Sequence, residues 1–176
     1  MFADVRGSTR MGEQLGPAAF ATMLNRFYRA ATEVLVRNDA LIDKLIGDEV
    51  MALFIPGVCG PHYRRRAVET AVALMRAVGY GPLSAPWIPI GAGVHSGLSF
   101  VGNVGGGDIS DFTALGDPVN TAARLAAVAA GGEILLGEPV YAAAAEQLPN
   151  LERRTLTLQG KEAPFAVRVC SPSQLK

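Results

Sequence analysis

Asp4 and Asp48 are the two residues of this chain whose type and spacing best suit shared chemistry. A pair of carboxylates is what a hard divalent cation such as Mg²⁺ or Mn²⁺ asks of a protein, since such ions take oxygen ligands and then clamp a phosphate chain. Asn120 and Arg124 make a second pair, four residues apart and so on one face of a helix, in a segment rich in Ala, Val and Leu. Each has a plainer reading. Asp48 follows Gly47 in a common turn dipeptide, Asn120 suits a helix-start cap, and Arg124 suits a surface salt bridge. Asp4 is harder to set aside, because a carboxylate near the end of an apolar strand needs a partner.

The elements must bring these residues together. Residues 40–46 and 50–55 are apolar runs around Gly47-Asp48, which reads as a β-hairpin with that dipeptide at its tip. In a split βαββαβ arrangement the first strand lies beside the strand leaving this hairpin. Asp4 and Asp48 then share one edge of the sheet. Between them Phe20, Met23, Leu24, Phe27, Ala31, Val34 and Leu35 recur at steps of three and four, so a helix opens at Gly16-Pro17 and ends near Asn38. Residues 57–61 read as a turn, Ala67 to Val78 as a second helical stripe, 79–89 with three prolines as a loop, and 90–94 as the fourth strand. Beyond it we expect a short partner strand at 98–101, a flexible glycine-rich tip at 105–108 and a third helix over 119–130. A strand at 133–136, a short helix at 138–147 and a last hairpin of 154–158 and 165–169 complete the series. There is no internal repeat or linker, so 1–170 is expected to be one domain and 171–176 a tail.

Composition narrows the classes of function. The chain has 176 residues, 49% of them apolar, with 16 acidic and 16 basic side chains. That is ample for one core, and the balance argues against nucleic acid or an anionic membrane as the main partner. Arg64-Arg65-Arg66 reads as a solvated helix face. Cys59 and Cys170 form no CxxC or Cys/His cluster, so neither a disulfide framework nor a zinc site is expected, and a reduced, cytoplasmic setting follows. No apolar stretch is long enough to span a bilayer. The chain begins almost inside its first strand, which suggests a domain excised from a longer protein, with a regulatory domain upstream. Of the two histidines, His95 reads as structural and His62 as an exposed helix start.

Four motifs fall in a meaningful order: FADVRGST at 2–9, DKLIGDEVMALF at 43–54, GVHSG at 93–97 and ALGDPVNTAARL at 114–125. Together they resemble the catalytic domain of class III adenylate/guanylate cyclases, and the likeness runs from the first residue to about Val169. The resemblance implies an α+β fold: a ferredoxin-like βαββαβ core with a C-terminal αβαββ extension. It implies two divalent metal ions, Mg²⁺ or Mn²⁺, on Asp4, Asp48 and the carbonyl of Val5. Gly7 would allow close backbone approach, and the amides of Ser8 and Thr9 at a helix start would donate to the triphosphate.

The same resemblance assigns the remaining positions. Lys44 matches the lysine that contacts adenine in adenylate cyclases, where guanylate cyclases place an acidic residue; the plainer reading is a lysine that protects an edge strand. Thr113 matches the second base-contacting position in a subgroup that uses Thr or Ser instead of Asp, and a hydroxyl can still meet an amino group. Asp111 lies nearby but out of register. Asn120 would orient the ribose, Arg124 would neutralise charge on the α-phosphate, and Lys161 would reach the terminal phosphates. The implied reaction converts ATP to cyclic 3′,5′-AMP and pyrophosphate in a homodimer whose sites draw on both protomers. A guanylate cyclase, a diguanylate cyclase and a silent cyclase-like binding domain remain alternatives. Lys44 disfavours the first, Ile46 in place of a glycine the second, and the filled positions the third.

Overall fold

A computed structural model describes residues 1–81, 84–106, 109–161, 163–171 and 174. In chain order the elements are β1 (Phe2–Val5), α1 (Ser8–Leu15), α2 (Pro17–Arg37), β2 (Leu41–Ile46), β3 (Glu49–Leu53), α3 (Pro56–Cys59), α4 (Tyr63–Ala77), β4 (Ile90–Val94), β5 (Phe100–Gly106), β6 (Ile109–Leu115), α5 (Asp117–Val128), β7 (Ile134–Gly137), α6 (Glu138–Tyr141), β8 (Glu152–Leu156) and β9 (Phe165–Cys170). Seven strands form one sheet in the order β2-β3-β1-β4-β7-β9-β8, and β5-β6 form a separate two-stranded sheet. The first four strands in sheet order are those of the expected βαββαβ core, with β1 antiparallel to both β3 and β4.

Strand alternation divides the sheet into two buried faces. Ala3, Val5, Val50, Ala52, Ile134 and Leu136 join the core that holds Phe27, Ala31 and Leu35 of α2 and Leu74 and Met75 of α4. Phe2 and Met51 lie on the opposite face with Ala122 and Ala126 of α5, and Leu135, Val167 and Val169 pack there with Leu125. The four-residue spacing of Phe27, Ala31 and Leu35 is what keeps one side of α2 on the sheet. On the other side α5 comes unusually close. A Cβ at Gly93 would stand 2.3 Å from the Ala122 oxygen and 2.4 Å from the Ala126 nitrogen, so only glycine lets the helix settle on β4.

The extension departs from expectation. β5 and β6 form a full hairpin arm, paired from Phe100↔Leu115 to Gly106↔Ile109, where only a short strand at 98–101 was expected. The extension is therefore ββαβαββ rather than αβαββ. Both strands carry exposed apolar side chains, and β5 also carries glycines, so neither shows the in–out alternation that marks a half-buried strand. Gly107 and Asp108 of the expected tip lie outside the described residues. Residues 57–61 are not a simple turn either, since Pro56 starts the short α3, and α6 ends at Tyr141 rather than near 147. Among the described residues no helix is long and apolar enough to cross a membrane.

Candidate active site

The hairpin does bring Asp4 and Asp48 together. Gly47 takes φ 60 at the β2–β3 turn, the Val5 amide donates to the Asp48 carbonyl at 3.1 Å, and the Tyr28 hydroxyl from α2 donates to the Gly47 carbonyl. Burial raises the pKa of the Asp4 carboxyl, the Arg6 guanidinium opposes that, and Asp48 adds to it by charge and by a side-chain hydrogen bond. Glu49 is raised in the same way, by burial and then by Asp4 and Asp48. Among the described residues no group of three or more His, Cys, Asp or Glu is disposed to hold a metal. The donors brought together are instead two crowded carboxylates. Hard oxygens whose like charges oppose each other fit a divalent cation that shares its remaining positions with a polyphosphate.

Gly7 sits in the left-handed region at φ 71 and caps α1, so the chain turns straight from β1 into a helix whose first residues are Ser8 and Thr9. First-turn amides have no partner inside the helix. Arg6, which sequence reasoning passed over, ties this loop down. It pairs with the Asp4 carboxylate and donates to the carbonyls of Ala127 at 2.8 Å and Ala129 at 3.3 Å, at the C-terminal end of α5.

Lys44 and Thr113 meet at a second cluster. β2 is the edge strand, as the protective reading of Lys44 requires, yet the lysine is turned onto two carboxylates: Asp43 at 3.2 Å and Asp111. Thr113 donates to Asp43 Oδ2 at 3.0 Å. Asp111, set aside as out of register, stands two residues before Thr113 on β6 and thus on the same face. Asp43 gave no signal of its own beyond adjacency to Lys44.

The third cluster gathers on α5. Its N-cap is Gly116 and no side chain caps it, so Asn120 is not the cap residue; it is exposed. Arg124 is half-buried, and among the described residues it makes no ion pair. A Cβ at Gly160 would lie 3.2 Å from Arg124 Nη2, so the guanidinium packs against the turn that carries Lys161. Lys161 binds both oxygens of Asp117 at 2.6 Å. That bond, with further help from Lys161, His95 and Arg124 charge, holds the Asp117 carboxyl below its usual range. Burial lowers the pKa of His95, its ring meets Phe165 edge-on at 5.4 Å, and its buried Nδ1 has no hydrogen-bond partner among the described residues. Among the described residues no hydrogen bond or ion pair links Arg124 to Asp4 or Asp48.

Residues 1–168 match the family described as "Adenylate and Guanylate cyclase catalytic domain". The chain belongs to that family. An adenylate cyclase of Anabaena cylindrica is 34% identical to this cyclase domain over 149 residues, covering 80% of the chain and 29% of that protein. Among solved structures, the guanylyl cyclase Cya2 is similar at a TM-score of 0.85 and 25% identity, covering 96% of this chain and 88% of that one. The adenylyl cyclase CyaB of P. aeruginosa is similar at a TM-score of 0.78 and 27% identity, covering 97% and 91%. The cyclase domain spans about a third of the length of the curated relatives it matches.

Proposed function

We propose that residues 1–170 form an adenylate cyclase domain that converts ATP to cyclic 3′,5′-AMP and pyrophosphate in the cytoplasm, at sites shared across a homodimer. The observation that carries the ATP reading is the meeting of Lys44 with Thr113 in one cluster with Asp43. A lysine donates and suits the N1 acceptor of adenine, whereas guanine presents an N1–H there.

The bond that forms is from the ribose 3′-oxygen to the α-phosphorus, and the bond that breaks is from that phosphorus to the bridging oxygen of the departing pyrophosphate. The 3′-proton passes to solvent. Asp4, Asp48 and the Val5 carbonyl would hold two divalent cations, which when bound acidify the 3′-hydroxyl and screen the phosphates. The amides of Ser8 and Thr9 donate to phosphate oxygens, with Gly7 giving access. Asn120 orients the ribose, and Arg124 meets the charge that grows on the α-phosphate with a planar fork of donors. Lys161 exchanges Asp117 for the terminal phosphates.

Two features support a shared site. Arg124 is unpaired among the described residues, with no bond to Asp4 or Asp48. The β5–β6 arm and its approach also expose Leu98, Phe100, Phe112 and Leu115, from 98% for Leu98 to 49% for Leu115, an apolar surface suited to a second copy. GTP is the second reading, favoured by the likeness to Cya2. Purified protein with Mn²⁺ and either nucleotide, followed by product analysis, tests both. Cyclic AMP is expected, with discrimination against GTP of roughly 1–3 kcal/mol. Equal efficiency with GTP overturns the substrate assignment, and no cyclic product from either overturns the catalytic one.

A further inference from the structure

We propose that Asp43 fixes the Thr113 hydroxyl as a hydrogen-bond acceptor and so makes this site select a purine with an amino group at C6. The inference rests on the ATP reading and adds a positioning residue to it. Asp43 is the extra residue of a β-bulge: Ile42 pairs with Ala52 and Lys44 with Met51, which leaves Asp43 without a partner across the ladder. Bulges re-aim side chains next to binding sites. Here the bulge lets two successive residues face the same neighbour, because Asp43 and Lys44 both reach the Thr113 side of the hairpin.

The Asp43 side chain is 0% exposed. Its Oδ2 receives the Thr113 hydroxyl at 3.0 Å and the Lys44 ammonium at 3.2 Å. Its Oδ1 is buried with no hydrogen-bond partner among the described residues. Burying a half-satisfied carboxylate is unfavourable, and its presence therefore points to a role other than stability. That role follows from proton counting. A carboxylate paired with an ammonium has no proton to give, and a hydroxyl has one. The Thr113 proton is spent on Asp43, so only lone pairs remain on its oxygen. An amino group at C6 donates to those lone pairs. A carbonyl at C6, as in guanine, would set acceptor against acceptor and leave both unpaired. A threonine without Asp43 would have no such preference, since its hydroxyl turns to suit either partner.

The first test needs no substitution. With Mn²⁺, the wild-type domain is given the triphosphates of adenosine, purine riboside and 6-methoxypurine riboside, all of which keep N1 free to accept from Lys44. The expected kcat/KM falls about tenfold from adenosine to purine riboside and again to the 6-methoxy compound, mainly through KM. Where turnover is slow, the same order is read as Kd by displacement of a fluorescent ATP analogue. Equal use of the 6-methoxy and unsubstituted purines overturns the proposal, because a free hydroxyl would donate to the methoxy oxygen. The second test is a cycle. Asp43→Ala and Thr113→Val are each expected to lower the ATP-over-GTP ratio about tenfold, and the double variant no further. An Asp43→Ala protein that loses kcat equally with both nucleotides has lost packing only, and that also overturns the proposal. If Asp43→Ala does not fold, the analogue series decides alone. A wild-type domain indifferent between ATP and GTP removes the substrate reading itself, whereas preference retained in Asp43→Ala removes only the role of Asp43.

Discussion

Asp48 is half-buried at a hairpin tip whose turn is set by Gly47 and whose backbone is held by Val5 and Tyr28, and its carboxylate crowds that of Asp4, so the fold does not depend on it. Asp48→Ala is accordingly expected to melt within about 0.5 kcal/mol of the parent and to lose turnover by orders of magnitude, as half of the charge that would hold the cations is gone. Circular dichroism melts beside a cyclic nucleotide assay check this; near-parental activity in a folded variant is the contrary result. The two aspartates were legible in the sequence because a Gly-Asp turn between apolar runs carries its own geometry. Asp43, Arg6 and Asp117 were not. Each acts through a partner far away in the chain, Thr113, Ala127 or Lys161, and no local pattern records such a meeting.

At the scale of elements, what periodicity specifies was readable, and what it does not specify was missed. α2 and α4 follow from apolar spacing, because each buries a face against the sheet, and β4 from a short apolar run that is buried throughout. The β5–β6 arm escaped in part because its apolar residues face solvent while Thr113 and Ala114 are buried, the reverse of the usual signal. The bulge at Asp43 is equally silent, since one inserted residue alters pairing without altering composition. Gly93 shows how tightly these elements are matched. Gly93→Ala would push a methyl into the α5 backbone rather than into a side chain that can move. The expected cost is at least about 1–3 kcal/mol, together with displacement of Asn120 and Arg124. A lowered melting temperature with a larger fall in kcat than in nucleotide affinity is the outcome that thermal and kinetic measurements should give. An unchanged melting temperature would mean that α5 is not packed this closely.

For the molecule as a whole, the shared-site proposal predicts complementation. Asp48→Ala and Arg124→Ala proteins, each inactive alone, should recover activity on mixing, because a mixed dimer holds one site with both halves intact. Random pairing makes half of the dimers mixed, each with one working site of two, so about a quarter of parental activity is the ceiling. No recovery under proven subunit exchange would place the whole site within one chain. The sheet order carries a different consequence, for how the protein reaches its structure. β1 is a central strand, and its partners are β3 and the much later β4, where Phe2 pairs with Gly93. The hairpins β2–β3, β5–β6 and β8–β9 can close locally, whereas β1 must stay available until β4 exists and its neighbours are in register. High contact order of this kind slows folding and leaves a strand exposed meanwhile. The strand that carries Asp4 is therefore among the last to be locked between two neighbours, because in a chain emerging from the ribosome its second neighbour appears only after more than half of the domain has been made.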